Sequence, residues 1–143
     1  FGKSDQGIFS YWLRSWYAKR QLRYTGFGGS GYQVRDMLHP RDLARLLWKQ
    51  MRTSVGEAPE TRVFNAAGGS PSAMSLRQLS HWCSRRWGDR QVQAGSEQRM
   101  YDLPWIVLDC GLARDFWGWE PTITAEEILG EIAGFVEAES AEC

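Results

Sequence analysis

An arginine in a constrained setting is the first residue of this sequence that could carry chemistry. Arg35 stands in a short segment whose side chains alternate between two faces: Val34, Asp36 and Leu38 against Arg35, Met37 and His39. Pro40 ends the segment, and from Asp42 onward apolar residues recur at helical spacing. A strand that leads directly into a helix can hold a guanidinium at fixed geometry for paired hydrogen bonds to a phosphate or carboxylate. The alternative is a surface pair of Arg35 with Asp36, and the local sequence does not choose between the two.

Charge is balanced over the whole chain but not along it. The 143 residues include 17 Lys and Arg and 17 Asp and Glu, which gives no general reason to expect a nucleic acid or a membrane as partner. Residues 1–55, however, contain ten Lys or Arg against three Asp. This excess favours a small anionic ligand or an acidic partner surface near Arg35. A solvated helix face would give the same pattern, whereas no aromatic–basic motif of a known nucleic-acid-binding module is present.

A glycine-rich segment contains the spacing Gly26-x-Gly28-x-x-Gly31, nominally that of a dinucleotide-binding turn. Such a turn requires a helix that begins on the glycines, so that the helix N-terminus faces the pyrophosphate. Here the glycines lead instead into the alternating segment around Arg35, and no GK[ST] phosphate loop occurs in the chain. The context therefore predicts a hairpin loop that joins two strands.

The cysteines indicate reduced thiols rather than a disulfide scaffold or a metal site. Cys83, Cys110 and Cys143 are odd in number and lack CxxC spacing, and the chain has only two His. Neither a signal peptide nor an apolar run of spanning length is present, so we expect a cytoplasmic protein with no membrane partner and no bound metal. The sequence begins at Phe1 without Met, and we expect it to be a piece of a longer protein.

Sequence patterns predict about five helices and four to five short strands. The helices are expected at residues 6–20 and 42–53, from Ser75 to about residue 87, from Asp109 to Trp117, and after Thr124. The strands are expected near residues 22–25, 33–39, 62–67, 91–93 and 105–108. This is too little sheet for a complete doubly wound domain, so the predicted fold class is α/β, as an α+β-like lobe. We expect residues 1–137 to form a single domain and residues 138–143 a disordered tail.

Taken in order, the motifs of this chain resemble the NAD-dependent epimerase/dehydratase family, the extended short-chain dehydrogenases/reductases. The resemblance is to the C-terminal part of these enzymes and is strongest to the CDP-paratose 2-epimerase-like branch. It covers essentially the whole chain and rests on Asp5-Gln6-Gly7, the segment 26–33, Val34–His39 with Asp42-Leu43-Ala44, Val63–Gly69 before Ser75-Leu76, Gln98-Arg99 to Asp102, Asp109, and Trp117–Pro121.

The resemblance implies a nucleotide-sugar-binding lobe of an extended Rossmann-type enzyme. In such enzymes an N-terminal Rossmann domain binds NAD, and the smaller lobe holds a nucleoside diphosphate-sugar. The position of Arg35 typically contacts the substrate diphosphate, and so does that of Arg99 from a later loop. Gln6 and Gln33 match positions that line or support the site. Asp36, His39 and Asp42 are assigned to structure.

Two absences limit what the chain can do alone. The family's chemistry uses a Tyr-x-x-x-Lys pair, and none of the five tyrosines here is followed by Lys at that spacing. The glycine-rich NAD turn is absent as well. We therefore expect no catalytic residues and no cofactor in this chain, with NAD bound elsewhere in the parent enzyme. The alternative is a stand-alone, non-catalytic, self-associating binding module, whose likeliest contact is the Trp-rich first helix.

Overall fold

The computed structural model describes residues 7–53, 63–97, 100–101 and 103–141. Within these ranges the chain forms five α-helices: α1 (Ile8–Tyr17), α2 (Pro40–Met51), α3 (Leu76–Trp87), α4 (Gly111–Trp117) and α5 (Ala125–Ala141). Five short strands accompany them: β1 (Arg23–Tyr24), β2 (Val34–Asp36), β3 (Ala73–Ser75), β4 (Gln93–Ala94) and β5 (Trp105–Ile106). The predicted α/β class and the predicted numbers of elements are confirmed.

The strands form two small sheets. β1 pairs with β4 in parallel, with Arg23 opposite Gln93, while the other sheet has the order β3-β2-β5. The predicted glycine hairpin is therefore wrong, because β1 and β2 belong to different sheets. The glycines instead form a 3₁₀ turn at Phe27–Gly29. A Cβ on Gly29 would lie 2.7 Å from the Cα of Ala94, so this turn packs directly on β4.

Residues 63–69 do not form the strand that their sequence predicts. Their backbone is bound by side chains rather than by a neighbouring strand. The N–H of Ala67 donates to the Cys110 sulfur at 3.2 Å, and that of Gly69 donates to the Asp36 carboxylate at 3.0 Å. Gly68 passes so close to Met37 that a Cβ would lie 1.7 Å from the Met37 carbonyl oxygen. Only glycine fits this approach.

Local capping signals place most helix ends. Ser75 and Gln78 form a reciprocal capping box at α3, and Gly88 ends that helix with φ of 90°. Thr124 and Glu127 form the same arrangement before α5. The predicted start of α2 at Asp42 is wrong: the helix begins at Pro40, because His39 caps it by accepting the Arg41 N–H on Nδ1 at 3.0 Å.

Two compact units divide the chain. Unit 1 comprises the described residues within 1–34, 74–105 and 129–143, and unit 2 those within 35–73 and 106–128. The tryptophans of α1 belong to the core of unit 1, since Trp12 is 2% exposed and Trp16 is equally buried. The first helix nevertheless exposes Ile8 and Tyr11, at 37% and 41%, so its role as a contact between chains stays a prediction.

Helix α5 buries Val136, whereas Phe135 is 39% exposed. The helix also continues to Ala141, through four residues of the segment predicted as a tail. In the part of the chain that is described, no helix is both long enough and apolar enough to cross a membrane.

Candidate functional site

Arg35 occupies the middle of β2, the central strand of the β3-β2-β5 sheet. Its side chain is half-buried. Just beyond it, the N–H of Met37 donates to the Ser72 carbonyl at 3.2 Å, and Pro40 begins α2. The backbone of Arg35 is therefore held within a sheet, and a capped helix follows it. This is the rigid setting that bidentate recognition of a phosphate or carboxylate requires.

Asp36, the next residue, uses its carboxylate to bind backbone. Oδ2 accepts the N–H of Gly69 at 3.0 Å and that of Leu108 at 3.3 Å. One carboxylate thereby joins two segments to β2 within unit 2. This is the structural role predicted for Asp36.

Gln33 is buried in unit 1, with 6% of its surface exposed. Its Nε2 donates to the Thr25 carbonyl at 2.6 Å, which fixes the orientation of the side-chain amide. Oε1 is also buried and has no hydrogen-bond partner among the described residues. A buried amide oxygen without a donor is costly, so this atom has capacity to accept a hydrogen bond from a ligand or a water molecule.

The other two predicted site residues, Gln6 and Arg99, lie outside the described residues. The structure places Gln33 in unit 1 and Arg35 in unit 2. That the guanidinium groups of Arg35 and Arg99 meet over one anion therefore remains a prediction.

Asp42 is the most deeply buried acid of unit 2, and its role there is structural. Its carboxylate accepts the N–H groups of Thr122 and Ile123, both at 3.0 Å, and the Thr122 hydroxyl at 3.1 Å. Arg45 donates to it at 2.7 Å. Burial alone raises the pKa of Asp42, but these hydrogen bonds and the Arg45 charge outweigh burial and lower the pKa below its ordinary value. The group is ionised and fully satisfied, which leaves it no catalytic capacity.

The two described thiols are poor nucleophiles. Burial raises the pKa of Cys83 to about 12. The pKa of Cys110 is also raised, mainly by burial and further by the charges of Asp36 and Asp109. Among the described residues no group of three or more His, Cys, Asp or Glu is arranged to hold a metal ion.

A concave region in unit 1 was missed by the sequence analysis. It is a recess of about 290 Å³ between α1 and α3, lined in part by Arg77, His81 and Arg90. The i, i+4 spacing of Arg77 and His81 places both on one face of α3. That spacing was visible in the sequence, but the approach of Arg90 from beyond Gly88 was not.

Comparisons with known proteins identify the fold. No family model matches the sequence, and no curated protein matches it either. Among solved structures, the UDP-glucose 4-epimerase of Thermotoga maritima, solved with UDP-glucose, aligns with 94% of this chain at a TM-score of 0.78 and 21% identity. MoeE5, solved with UDP-glucuronic acid and NAD, aligns with 96% at a TM-score of 0.77 and 21% identity.

The UDP-glucuronic acid 4-epimerase of Bacillus cereus, solved with UDP-glucuronic acid and NAD, aligns with 95% of the chain at a TM-score of 0.73 and 15% identity. This chain spans only 40%, 43% and 41% of the lengths of the three proteins, respectively. The fold is that of the C-terminal portion of a Rossmann-type epimerase.

Proposed function

We propose that this chain is the C-terminal, nucleotide-sugar-binding portion of an NAD-dependent sugar-nucleotide epimerase or dehydratase. The observation that carries the proposal is the likeness in fold, which extends over 94–96% of the chain to three proteins solved with UDP-sugars. The order of motifs gives separate support, because it follows the same family from Asp5 to Pro121.

Arg35 and Arg99 are the residues to which we assign the diphosphate. Each guanidinium can give paired N–H bonds to phosphate oxygens, and two such groups from different segments would fix the position of the sugar. The rigid backbone on both sides of Arg35 supports this role. Gln33, with its unpartnered Oε1, and Gln6 are proposed to line or support the site.

In this proposal, the hydride transfer takes place in the rest of the parent enzyme. There NAD takes a hydride from a sugar carbon and returns it, while this chain positions the substrate. Because this sequence lacks a Tyr-x-x-x-Lys pair, we propose that it binds without catalysing when alone. The same proposal makes it a cytoplasmic protein, since NAD and nucleotide sugars are intracellular.

Isothermal titration with CDP-glucose and UDP-glucose tests this proposal. We expect at least one of these two nucleoside diphosphate-sugars to bind. Replacing Arg35 with Ala removes a charge-assisted, paired contact, which contributes roughly 1.5–3 kcal/mol, so affinity should fall about 10- to 100-fold. Arg35→Lys should restore only part of the loss, because an ammonium cannot make the paired contact.

Arg114→Ala is the matched control, because Arg114 is an exposed arginine of the same unit. It should leave the affinity within twofold. If neither nucleotide sugar binds at millimolar concentration, or if Arg35→Ala and Arg114→Ala bind equally well, the chain does not retain this site.

A second candidate function is self-association as a non-catalytic module, and one feature of unit 2 favours it. Helix α2 buries Leu46 but exposes a second apolar stripe, in which Leu47, Trp48 and Met51 are 51%, 59% and 78% exposed. Helix α4, which contacts α2, adds two half-exposed apolar residues. We call this the α2–α4 surface; its members are Leu43, Leu47, Trp48, Met51, Leu112 and Phe116.

We propose that a second copy of the chain covers the α2–α4 surface when the chain stands alone. Six half-exposed large apolar side chains offer roughly 600 Å² per protomer, close to the ~800 Å² that each partner contributes to a standard interface. In the parent enzyme the missing three fifths of the polypeptide could cover the same side chains. A free apolar surface of this size is uncommon in monomers.

Sedimentation velocity between 1 and 100 µM tests the self-association. We expect the average mass to rise with concentration, and the double variant Leu47→Lys with Met51→Lys to remain monomeric, because two charges cannot be buried in the contact. Ala138→Lys, an exposed position on α5, should associate like the parent. A folded parent chain that stays monomeric throughout this range would contradict the proposal.

A further inference from the structure

The recess between α1 and α3 is lined mainly by basic, hydroxyl and aromatic side chains. Among its described lining residues are Trp16, Arg77, Ser80, His81, Ser84 and Arg90, and no carboxylate. Arg35 and Gln33 do not line it. Its volume of about 290 Å³ is enough for a phosphate group and a small organic substituent.

Arg90 gives the recess a fixed positive charge. It donates to the carbonyls of Ser15, Trp16 and Arg20, at 3.1, 2.7 and 2.9 Å. The Ser15 and Trp16 carbonyls lie in the last turn of α1, where the helix has a partial negative charge. Arg90 therefore neutralises a helix end that would repel an anion, and no carboxylate in the described ranges forms an ion pair with it.

Arg77 and His81 add mobile donors on the opposite wall. They are four residues apart on α3, and both side chains are exposed. The Arg77 guanidinium lies over the Tyr32 ring, 5.5 Å from its centroid, and the described carboxylates form no ion pair with it. An imidazole carries at least one N–H donor in either protonation state. Arg77, His81 and Arg90 thus line one recess, and its described lining includes no carboxylate.

The floor of the recess is rigid. The Ser80 hydroxyl accepts the Trp12 indole N–H at 3.0 Å and the Tyr24 hydroxyl at 2.7 Å, and donates to the Leu76 carbonyl at 2.9 Å. The Ser84 hydroxyl donates a hydrogen bond to the carboxylate of Asp89, a residue that does not line the recess. The Ser80 and Ser84 hydroxyls are thus used within the protein, whereas Arg90 keeps two of its five N–H donors, on Nε and Nη2, beyond the three that bind carbonyls.

We propose that this recess is a binding site for a small phosphate monoester, held by Arg77, His81 and Arg90. A phosphate monoester carries close to two negative charges at neutral pH and three acceptor oxygens. Guanidinium groups on two sides match those acceptors. The ester substituent then extends towards the apolar edge of the recess at Val92.

Titration of the full chain with phenyl phosphate, followed by calorimetry and ³¹P NMR, tests this site. Phenyl phosphate lacks the nucleoside and the diphosphate, so the result does not depend on the function proposed for Arg35. We expect binding that phenol does not reproduce, and a loss of about tenfold in affinity for Arg77→Ala, with a further loss when His81→Ala is added.

Arg85→Ala is the matched control, because Arg85 is an exposed arginine on the same helix that does not line the recess. It should change the affinity less than twofold, and circular dichroism should show the same unfolding temperature for all variants. Equal losses for Arg77→Ala and Arg85→Ala would reduce the site to a generally basic surface. That result, or no binding at 20 mM phenyl phosphate, overturns the proposal.

Discussion

Units 1 and 2 are stabilised by different means. The core of unit 1 consists of large apolar side chains that are almost completely buried, among them Trp12, Leu13, Leu79, Trp82 and Leu129. Unit 2 has a much smaller apolar cluster, with Leu46, Ala113 and Trp119 at its centre. It also exposes the α2–α4 surface, which an apolar core of its own would have buried.

In unit 2 the buried carboxylate of Asp42 joins distant segments, a task that apolar packing performs in unit 1. Asp42 binds the backbone at Thr122 and Ile123, and the Asp42 carbonyl accepts the Trp119 indole N–H at 2.8 Å. Arg45 and Lys49 add bonds from α2 to the Glu120 carbonyl at 3.2 Å and the Gly118 carbonyl at 3.3 Å, so three residues of the helix hold the segment between α4 and α5. In the described residues, unit 1 relies mainly on apolar packing, whereas unit 2 relies more on a few polar contacts and exposes an apolar face.

The largest expected effect is that of Asp42→Ala. The substitution leaves the N–H groups of Thr122 and Ile123, which lie in part-buried hydrogen bonds, without an acceptor, and it removes the ionic partner of Arg45. We therefore expect a loss of about 2–4 kcal/mol in the free energy of unfolding. Urea denaturation followed by circular dichroism measures it. Asp115→Ala, in which the replaced side chain is 69% exposed, should change stability by less than about 0.5 kcal/mol.

Acid pH provides a second measurement of the same contact. The pKa of Asp42 is lowered in the folded state, so its contribution is complete above the unfolded-state value of 3.8 and is lost as pH falls through the folded-state pKa. The stability difference between the parent chain and Asp42→Asn should therefore be constant near neutral pH and shrink in strong acid. A difference that grows as pH falls would show that the carboxylate is not stabilising.

A smaller effect is expected from Ser80→Ala in unit 1. The Trp12 indole N–H and the Tyr24 hydroxyl lose their common acceptor, while the apolar contacts of both rings remain. We expect a loss of about 1–3 kcal/mol by urea denaturation. Ser84→Ala, on the same helix, is the control and should be nearly neutral.

The difference between units 1 and 2 is tested by comparing the stability lost in Ser80→Ala with that lost in Asp42→Ala. If Ser80→Ala destabilises the chain as much as Asp42→Ala, unit 1 depends on polar contacts to the same degree as unit 2. Units 1 and 2 would then not differ in how far they depend on polar contacts.

The parts of the fold that were predicted correctly depend on neighbours in sequence. The capping boxes at Ser75 and Thr124 each use a residue three positions later, and Gly88 ends α3 because its own backbone adopts a positive φ. Helix α2 begins two residues before its predicted start, because Pro40 begins the helix as well as ending the extended segment. Pro also favours the first helical position.

The candidate functional residues were harder to predict from the sequence than the helices and strands. The sequence alone placed Arg35 on a strand before a helix, and the structure confirms that placement. No local pattern predicts that Gln33 leaves a buried oxygen unpartnered, or that Arg90 reaches the carbonyl groups of α1. These features join residues up to 75 positions apart.

The sequence by itself determined the approximate positions of the five helices, the capping boxes of α3 and α5, and the absence of a Tyr-x-x-x-Lys pair, because each depends on residue types within a few positions. Only the tertiary structure decided which strands pair, how residues 63–69 satisfy their backbone, and that Asp42 binds residues 80 positions later. The physical reason is that side chains fix local backbone conformation, whereas hydrogen bonds between distant segments depend on how the whole chain packs.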